Sequence, residues 1–180
     1  MIFRRTELEG VVVVELERHR DARGSFARAF CAGEFEHEGL DGHVEQVNLS
    51  ESASAGTVRG LHYQLPPSAE TKFVRCVRGA LYDVAVDLRP TSATFGHWFG
   101  IELTEEDGTG LVVPRGFAHG FQTLRDDTTA LYLVSTAYDR PRERGVHHAD
   151  PKIDIRWPLP VTSVSDRDRS LPPLGEADLP

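Results

Sequence analysis

The residues of this 180-residue chain whose types could do chemistry begin with Arg59 and His62, in Gly56-Thr-Val-Arg-Gly-Leu-His-Tyr-Gln-Leu-Pro-Pro. Lys72 precedes an apolar run, His119 stands in Phe117-Ala-His-Gly-Phe, and Tyr132 stands in Ala130-Leu-Tyr-Leu-Val. An imidazole titrates near neutrality and can take up or return a proton. An ammonium carries charge to a developing anion, and a phenol can donate or accept. Taken singly, each residue has a plainer explanation. His62 reads as a hydrogen-bonded core histidine, Lys72 as a solvated strand-end lysine, His119 as a ring packed between aromatics, and Tyr132 as a core tyrosine with a partnered hydroxyl. Only convergence would make them a site, so the elements that carry them decide.

Those elements read mostly as strands. Val11-Val-Val-Val-Glu-Leu is short and β-branched, and Phe73–Cys76 and Leu81–Leu88 flank an Arg78-Gly79 turn. Within the later run, Tyr82, Val84, Val86 and Leu88 share one face, and Leu81, Asp83, Ala85 and Asp87 the other. Further strands are expected over 99–103, 110–113, 116–124 and 129–136. The one convincing helix signal spans 31–38, about two turns. Many short strands punctuated by Gly and Pro predict an all-β sandwich or small barrel, whose interior is wide enough for one small ligand. No repeat, low-complexity segment or linker interrupts the body, so residues 1–180 are read as one domain. The proline-broken end from Leu171 is expected to be an extended surface tail.

Composition narrows the partners. A net charge of −8 argues against nucleic acid, but the arginines at 23, 28, 59, 75 and 78 leave a small anionic ligand open. No apolar run approaches the roughly 18 residues of a membrane helix, and the N-terminus lacks a secretory pattern. Cys31 and Cys76 form no Cys-x-x-Cys unit and are read as buried thiols of a cytoplasmic protein.

Read in order, Arg-Gly-Leu-His-Tyr-Gln, the lysine at 72, and Val77-Arg-Gly-x-Leu-x-Asp-Val-Ala-Val-Asp-Leu-Arg make a recognisable series. It continues with Thr94-Phe-Gly-His-Trp, Val113-Pro-Arg-Gly-Phe-Ala-His-Gly-Phe, Tyr132, Ile155-Arg-Trp-Pro-Leu-Pro and Ser165-Asp-Arg-Asp. From about Gly10 to Leu174 the chain resembles the dTDP-4-dehydrorhamnose 3,5-epimerase family. The resemblance implies a cupin-like small β-barrel (jelly roll), usually a homodimer, that uses no metal or redox cofactor. Its substrate would be a nucleotide-linked 4-keto-6-deoxy sugar, inverted at carbon 3, carbon 5 or both through an enolate.

The same resemblance implies roles. His62 would be the base, Asp168 would hold its tautomer, Lys72 would neutralise the enolate oxygen, and Tyr132 would return a proton from the opposite face. His119 would contact substrate, and Arg167 would join the binding set. Gln46, Asn48, Arg59 and Tyr138 would hold base or diphosphate, while Arg23 and Phe26 would reach into the neighbouring subunit. Arg28 stands where the family usually has a glutamate against the base; a guanidinium suits an acceptor such as cytosine, or phosphate. His148 replaces a tryptophan common in the family. Strict alternation puts Arg59 and His62 on opposite faces of one strand, so a bulge or twist is expected between them.

Two rival readings stand beside this one. A metal-dependent cupin would need a His-x-His pair, but the second position is Gln64, and the neighbours His147 and His148 are expected to point to opposite faces of a strand. A non-catalytic sugar-nucleotide-binding cupin would have no need of the acid–base set.

Overall fold

A computed structural model describes all of residues 1–180. Thirteen strands dominate: β1 (Ile2–Arg5), β2 (Val12–Glu15), β3 (His19–Asp21), β4 (Gly24–Phe26), β5 (Gln46–Ser52), β6 (Val58–Gln64) and β7 (Lys72–Arg78) come first. They are followed by β8 (Ala80–Asp87), β9 (Trp98–Thr104), β10 (Gly110–Val113), β11 (Phe117–Thr123), β12 (Thr128–Val134) and β13 (Glu143–Gly145). Two short α-helices, α1 (Ala32–His37) and α2 (Asp166–Arg169), and two 3-10 turns, Arg140–Arg142 and Leu174–Glu176, complete the regular structure. The first was expected; the second, only four residues long, gives no periodic signal. No helix is long and apolar enough to cross a membrane.

The strands form a six-stranded sheet, β1-β2-β10-β7-β12-β5, and a five-stranded sheet, β13-β6-β11-β8-β9. Both remain open at their edges, with a core between them. Val74, Cys76, Leu111 and Ala130 of the larger sheet pack there against Leu81, Ala85, Leu103, Phe117 and Phe121 of the smaller. The expected alternation on β8 holds: Leu81 and Ala85 face this core, whereas Val84, Val86 and Leu88 face outward into a second cluster. Gly79, at φ +76°, turns the chain from β7 to β8, which lie in different sheets.

The C-terminal segment is not a free surface tail. Leu174 is buried in the outer cluster with Val146 and Ile153, the Tyr63 hydroxyl donates to the Asp178 carbonyl at 2.8 Å, and Arg144 pairs with Asp178. The outward apolar face of the five-stranded sheet needs a cover, and this segment provides it. The thiols also depart from expectation, for only Cys76 is buried and Cys31 is half-exposed; both are free.

The bulge expected between Arg59 and His62 is present. On β11, His119 is paired with His62 and Phe121 with Arg59, so two residues of one strand are matched by one of the other. Gly60 and Leu61 absorb the extra residue, and Leu61 turns outward into the second cluster. Gly60 has φ +121°, and a Cβ there would lie 2.6 Å from the Gly120 Cα. A Gly60→Ala variant should therefore lose about 1–3 kcal/mol from overpacking, with a further backbone cost. Urea denaturation checks this through a lowered midpoint at unchanged slope.

Candidate functional site

The bulge lets Arg59 and His62 share the inner face of β6, and it leaves the Gly60 N–H free of the ladder. That N–H donates to Asp168 Oδ2 at 3.1 Å, while Asp168 Oδ1 lies 2.7 Å from His62 Nε2. Asp168 is brought there from more than a hundred residues away by local pairing. Thr57 forms a parallel bridge with Ser163, and the Val58 N–H donates to the Ser163 carbonyl at 2.9 Å. Ser165 then caps α2 by accepting from the Asp168 N–H at 3.0 Å. In this pairing a neutral His62 carries its proton on Nε2 and keeps a free lone pair on Nδ1.

Asp168 is buried, which pushes its carboxyl up, but the hydrogen bond and charge of His62, with donors from Gly60 and Ser165, outweigh burial and hold it below the usual carboxylate range. A lowered carboxyl stabilises the fold above its unfolded value, and that contribution disappears as pH falls through the folded value. Asp168→Asn should thus unfold at a lower temperature than wild type near neutrality. The gap should close below about pH 4, as thermal melts across that range will show.

A cavity of about 450 Å³ opens beside this dyad, lined by Arg59, His62, Lys72, His119, Tyr132 and Arg167 among others. A second, of about 360 Å³, is lined by Gln46, Asn48, Glu70, Tyr138 and Glu143. His62, Lys72 and Tyr132 line both, so base, ammonium and phenol stand where the two spaces meet. They come from three strands in two sheets. Lys72 opens β7 and Tyr132 lies mid-β12, paired with Asn48 of β5. Tyr132 has its phenol pushed up, first by burial and then by the charge of Glu70.

Three acidic residues complete the site and were not singled out in the sequence. Asp83, fully buried on β8, has Oδ1 2.8 Å from His119 Nε2. Its place among inward apolar residues of an alternating strand was the available signal. Glu70 pairs with Lys72 Nζ at 3.0 Å. Glu143 accepts from the Tyr138 hydroxyl and from Arg167 Nη2, each at 2.5 Å. Burial raises the Glu143 carboxyl, and Arg167, Tyr138 and the charge of His62 bring it below its ordinary value. Glu143 follows a proline-containing turn on a three-residue strand, where periodicity carries no information.

The other expected residues divide. Arg59 is held by Ser52 Oγ at 3.1 Å and the Glu51 carbonyl at 2.7 Å, and Gln46 Oε1 accepts from the Tyr138 N–H at 3.0 Å. Arg23 and Phe26 do not reach these cavities. They sit on the β3–β4 hairpin, which pairs with neither sheet, and Phe26 is 69% exposed. Arg28 is spent on Glu34 at 3.3 Å. The expectation for His147 and His148 was wrong. They lie beyond β13 rather than on a strand, and their rings stack at 4.5 Å. His148 is buried, with its Nδ1 unpartnered and its imidazole pushed down by burial. No group of three or more His, Cys, Asp or Glu is arranged to hold a metal ion.

The family model for dTDP-4-dehydrorhamnose 3,5-epimerase matches residues 5–176. A dTDP-4-dehydrorhamnose 3,5-epimerase of Sinorhizobium fredii is 45% identical over 177 residues, covering 98% of this chain and 91% of that protein. A dTDP-4-dehydrorhamnose 3-epimerase of Streptomyces niveus is 39% identical and covers 98% and 86%. The crystal structure of the Legionella pneumophila enzyme in complex with dTDP-4-keto-L-rhamnose superposes with a TM-score of 0.93 at 34% identity, covering 99% and 97%. An all-β frame shared along nearly its whole length, together with this degree of identity, makes the chain a member of the dTDP-4-dehydrorhamnose 3,5-epimerase family and an enzyme of the isomerase class.

Proposed function

We propose that the protein, a single cupin-type domain, inverts carbon 3, carbon 5 or both of a nucleotide-linked 4-keto-6-deoxy sugar, with dTDP-4-keto-6-deoxyglucose the favoured substrate. The observation that carries this reading is the meeting of His62, Lys72 and Tyr132 at the junction of two cavities, with Asp168 behind the base. A proton beside a ketone is acidic because its electron pair delocalises onto the carbonyl oxygen. His62 Nδ1 takes that proton, while Asp168 holds the tautomer and stabilises the imidazolium. The Lys72 ammonium meets the charge that develops on the oxygen. Tyr132, whose raised value keeps it protonated at neutral pH, returns a proton to the opposite face. These steps call on no metal or redox cofactor.

The sugar ring occupies the junction in this reading. Arg59 and Arg167 supply the cations for a diphosphate, with His119 as a further contact, and Gln46, Asn48 and Tyr138 line the second cavity for the base. Arg23 and Phe26 reach a partner's site in a homodimer. The unpaired β3–β4 hairpin supports this, as do Val47 and Leu49, 59% and 64% exposed on the edge strand β5. Sedimentation should give a dimer, and mixing Arg23→Ala with His62→Asn subunits should restore activity that neither has alone. A monomer, or no restoration, would remove the shared site. The free thiols agree with a cytoplasmic location.

NMR in deuterated water with dTDP-4-keto-6-deoxyglucose tests the reaction directly. Deuterium at carbon 3, carbon 5 or both, with inverted configuration and unaffected by chelator, is the expected result. No exchange at either carbon would overturn it. Titration with dTDP and CDP tests the carrier, since Arg28 stands where the family usually has a glutamate against the base; equal or tighter CDP binding would displace dTDP.

A further inference from the structure

Lys72 is one of only two lysines in a chain that otherwise uses arginine for its cations. Its side chain is 12% exposed, and its Nζ has two partners: the Glu70 carboxylate at 3.0 Å and, at 3.5 Å, the backbone carbonyl of His62. The Glu70 side chain is itself only 10% exposed. It borders the second cavity and is absent from the lining of the one that holds Asp168. Glu70 therefore meets the ammonium from the wall of the second cavity, which His62 and Tyr132 also line.

Glu70 is fixed in turn. Its Oε2 accepts from Gln64 Nε2 at 2.9 Å. The Gln64 amide is oriented at both ends: Nε2 also donates to the carbonyls of Ser68 and Ala137, and Oε1 accepts from the Asp139 N–H at 2.6 Å. Gln64 lies two residues beyond His62 on β6, so the pair of bonds Gln64–Glu70–Lys72 ties the ammonium of one sheet to the strand that carries the imidazole in the other.

We propose that Glu70 is a positioning residue, which acts through Lys72 by holding its ammonium in a fixed place relative to His62. Two effects compete in such a pair. The carboxylate reduces the net positive potential felt by an enolate oxygen, which opposes catalysis. It also offsets the cost of a nearly buried ammonium and limits the rotamers of a flexible side chain. The second effect dominates because both side chains are nearly buried, and Glu70 and the His62 carbonyl occupy two ammonium hydrogens while leaving the third for substrate. The part played by Lys72 rests on the enolate reading above.

Glu70→Gln keeps the shape and removes the charge, and Lys72→Met removes the group through which Glu70 is held to act. In the wild-type background Glu70→Gln should lower kcat roughly 10- to 100-fold with little change in KM. In the Lys72→Met background it should change kcat by less than about twofold, the signature of a shared route. An unchanged kcat, or an equal loss in both backgrounds, would overturn the proposal. A second readout needs no turnover. With lysine labelled by 13C and 15N, the side-chain resonances of Lys72 should shift in Glu70→Gln while those of exposed Lys152 stay in place. Unmoved Lys72 resonances would defeat the proposal whatever the substrate is. Shifted resonances in a protein inert toward 4-keto sugars would sustain the positioning claim and defeat the epimerase reading alone.

Discussion

Replacing His62 by Gln should reduce solvent deuterium incorporation into the 4-keto sugar by roughly 10²- to 10⁴-fold, the usual contribution of a positioned general base. Binding of dTDP should survive. Glutamine is preferred to alanine because Asp168 is buried and receives hydrogen bonds from His62 Nε2 and from the Gly60 N–H. An alanine would leave one carboxylate oxygen without a donor, at a cost of about 1–3 kcal/mol that could be mistaken for a catalytic loss. Glutamine's Nε2–H overlays the imidazole Nε2 and can still donate to Asp168, yet the side chain cannot accept a proton from carbon at neutral pH. Exchange followed by NMR and binding followed by calorimetry separate the two effects. Exchange at the wild-type rate would mean that another group removes the proton. His119 is the obvious substitute, since it lines the same cavity with its own carboxylate partner, Asp83. A His119→Asn control therefore belongs in the same experiment.

How far these roles could be read from residues alone depended on where each sits. Lys72 and Tyr132 lie on stretches, 72–76 and 130–134, that pair in unbroken register, so shared faces with Val74 and Cys76, and with Ala130 and Val134, place them inward from the sequence alone. Arg59 and His62 posed a contradiction under strict alternation, and the contradiction itself located the bulge at Gly60–Leu61. Asp168 could be named only through the resemblance. A four-residue helix tied down by Thr57–Ser163 has no local signature, and its contact with His62 spans 106 positions. The carboxylates Glu70 and Glu143 escaped for a related reason. Each sits at a strand end or beside a turn, where residue type is set by a partner distant in sequence or by loop geometry. The tail was misjudged because three prolines and a glycine predict an extended path but say nothing about what lies beneath it. Here that is the apolar outer face of the five-stranded sheet.

Tyr132→Phe should separate proton removal from inversion. The phenol lies across the junction from the dyad: Tyr132 belongs to the six-stranded sheet, His62 to the five-stranded one, and both line the shared space. In a two-sided mechanism the base still forms the enolate when the acid is missing. The imidazolium can then return a proton or deuteron only to the face it came from. The expected outcome is solvent exchange at a substantial fraction of the wild-type rate, while formation of the inverted product falls by about 10²- to 10⁴-fold. Burial and the neighbouring Glu70 charge push the Tyr132 phenol up, so wild-type inversion should not weaken as pH rises through neutrality from loss of this proton. Phenylalanine keeps the ring and its packing among Ala130 and the inner core, so a stability loss would be small and visible separately in a melt. One-dimensional NMR in deuterated water reads both quantities in a single sample, exchange from lost proton intensity and inversion from the coupling pattern of the ring protons. If exchange and inversion fell together by the same factor, Tyr132 would be needed to form the enolate as well as to quench it. Its hydroxyl would then belong beside Lys72 at the developing oxygen and not on the opposite face of the sugar.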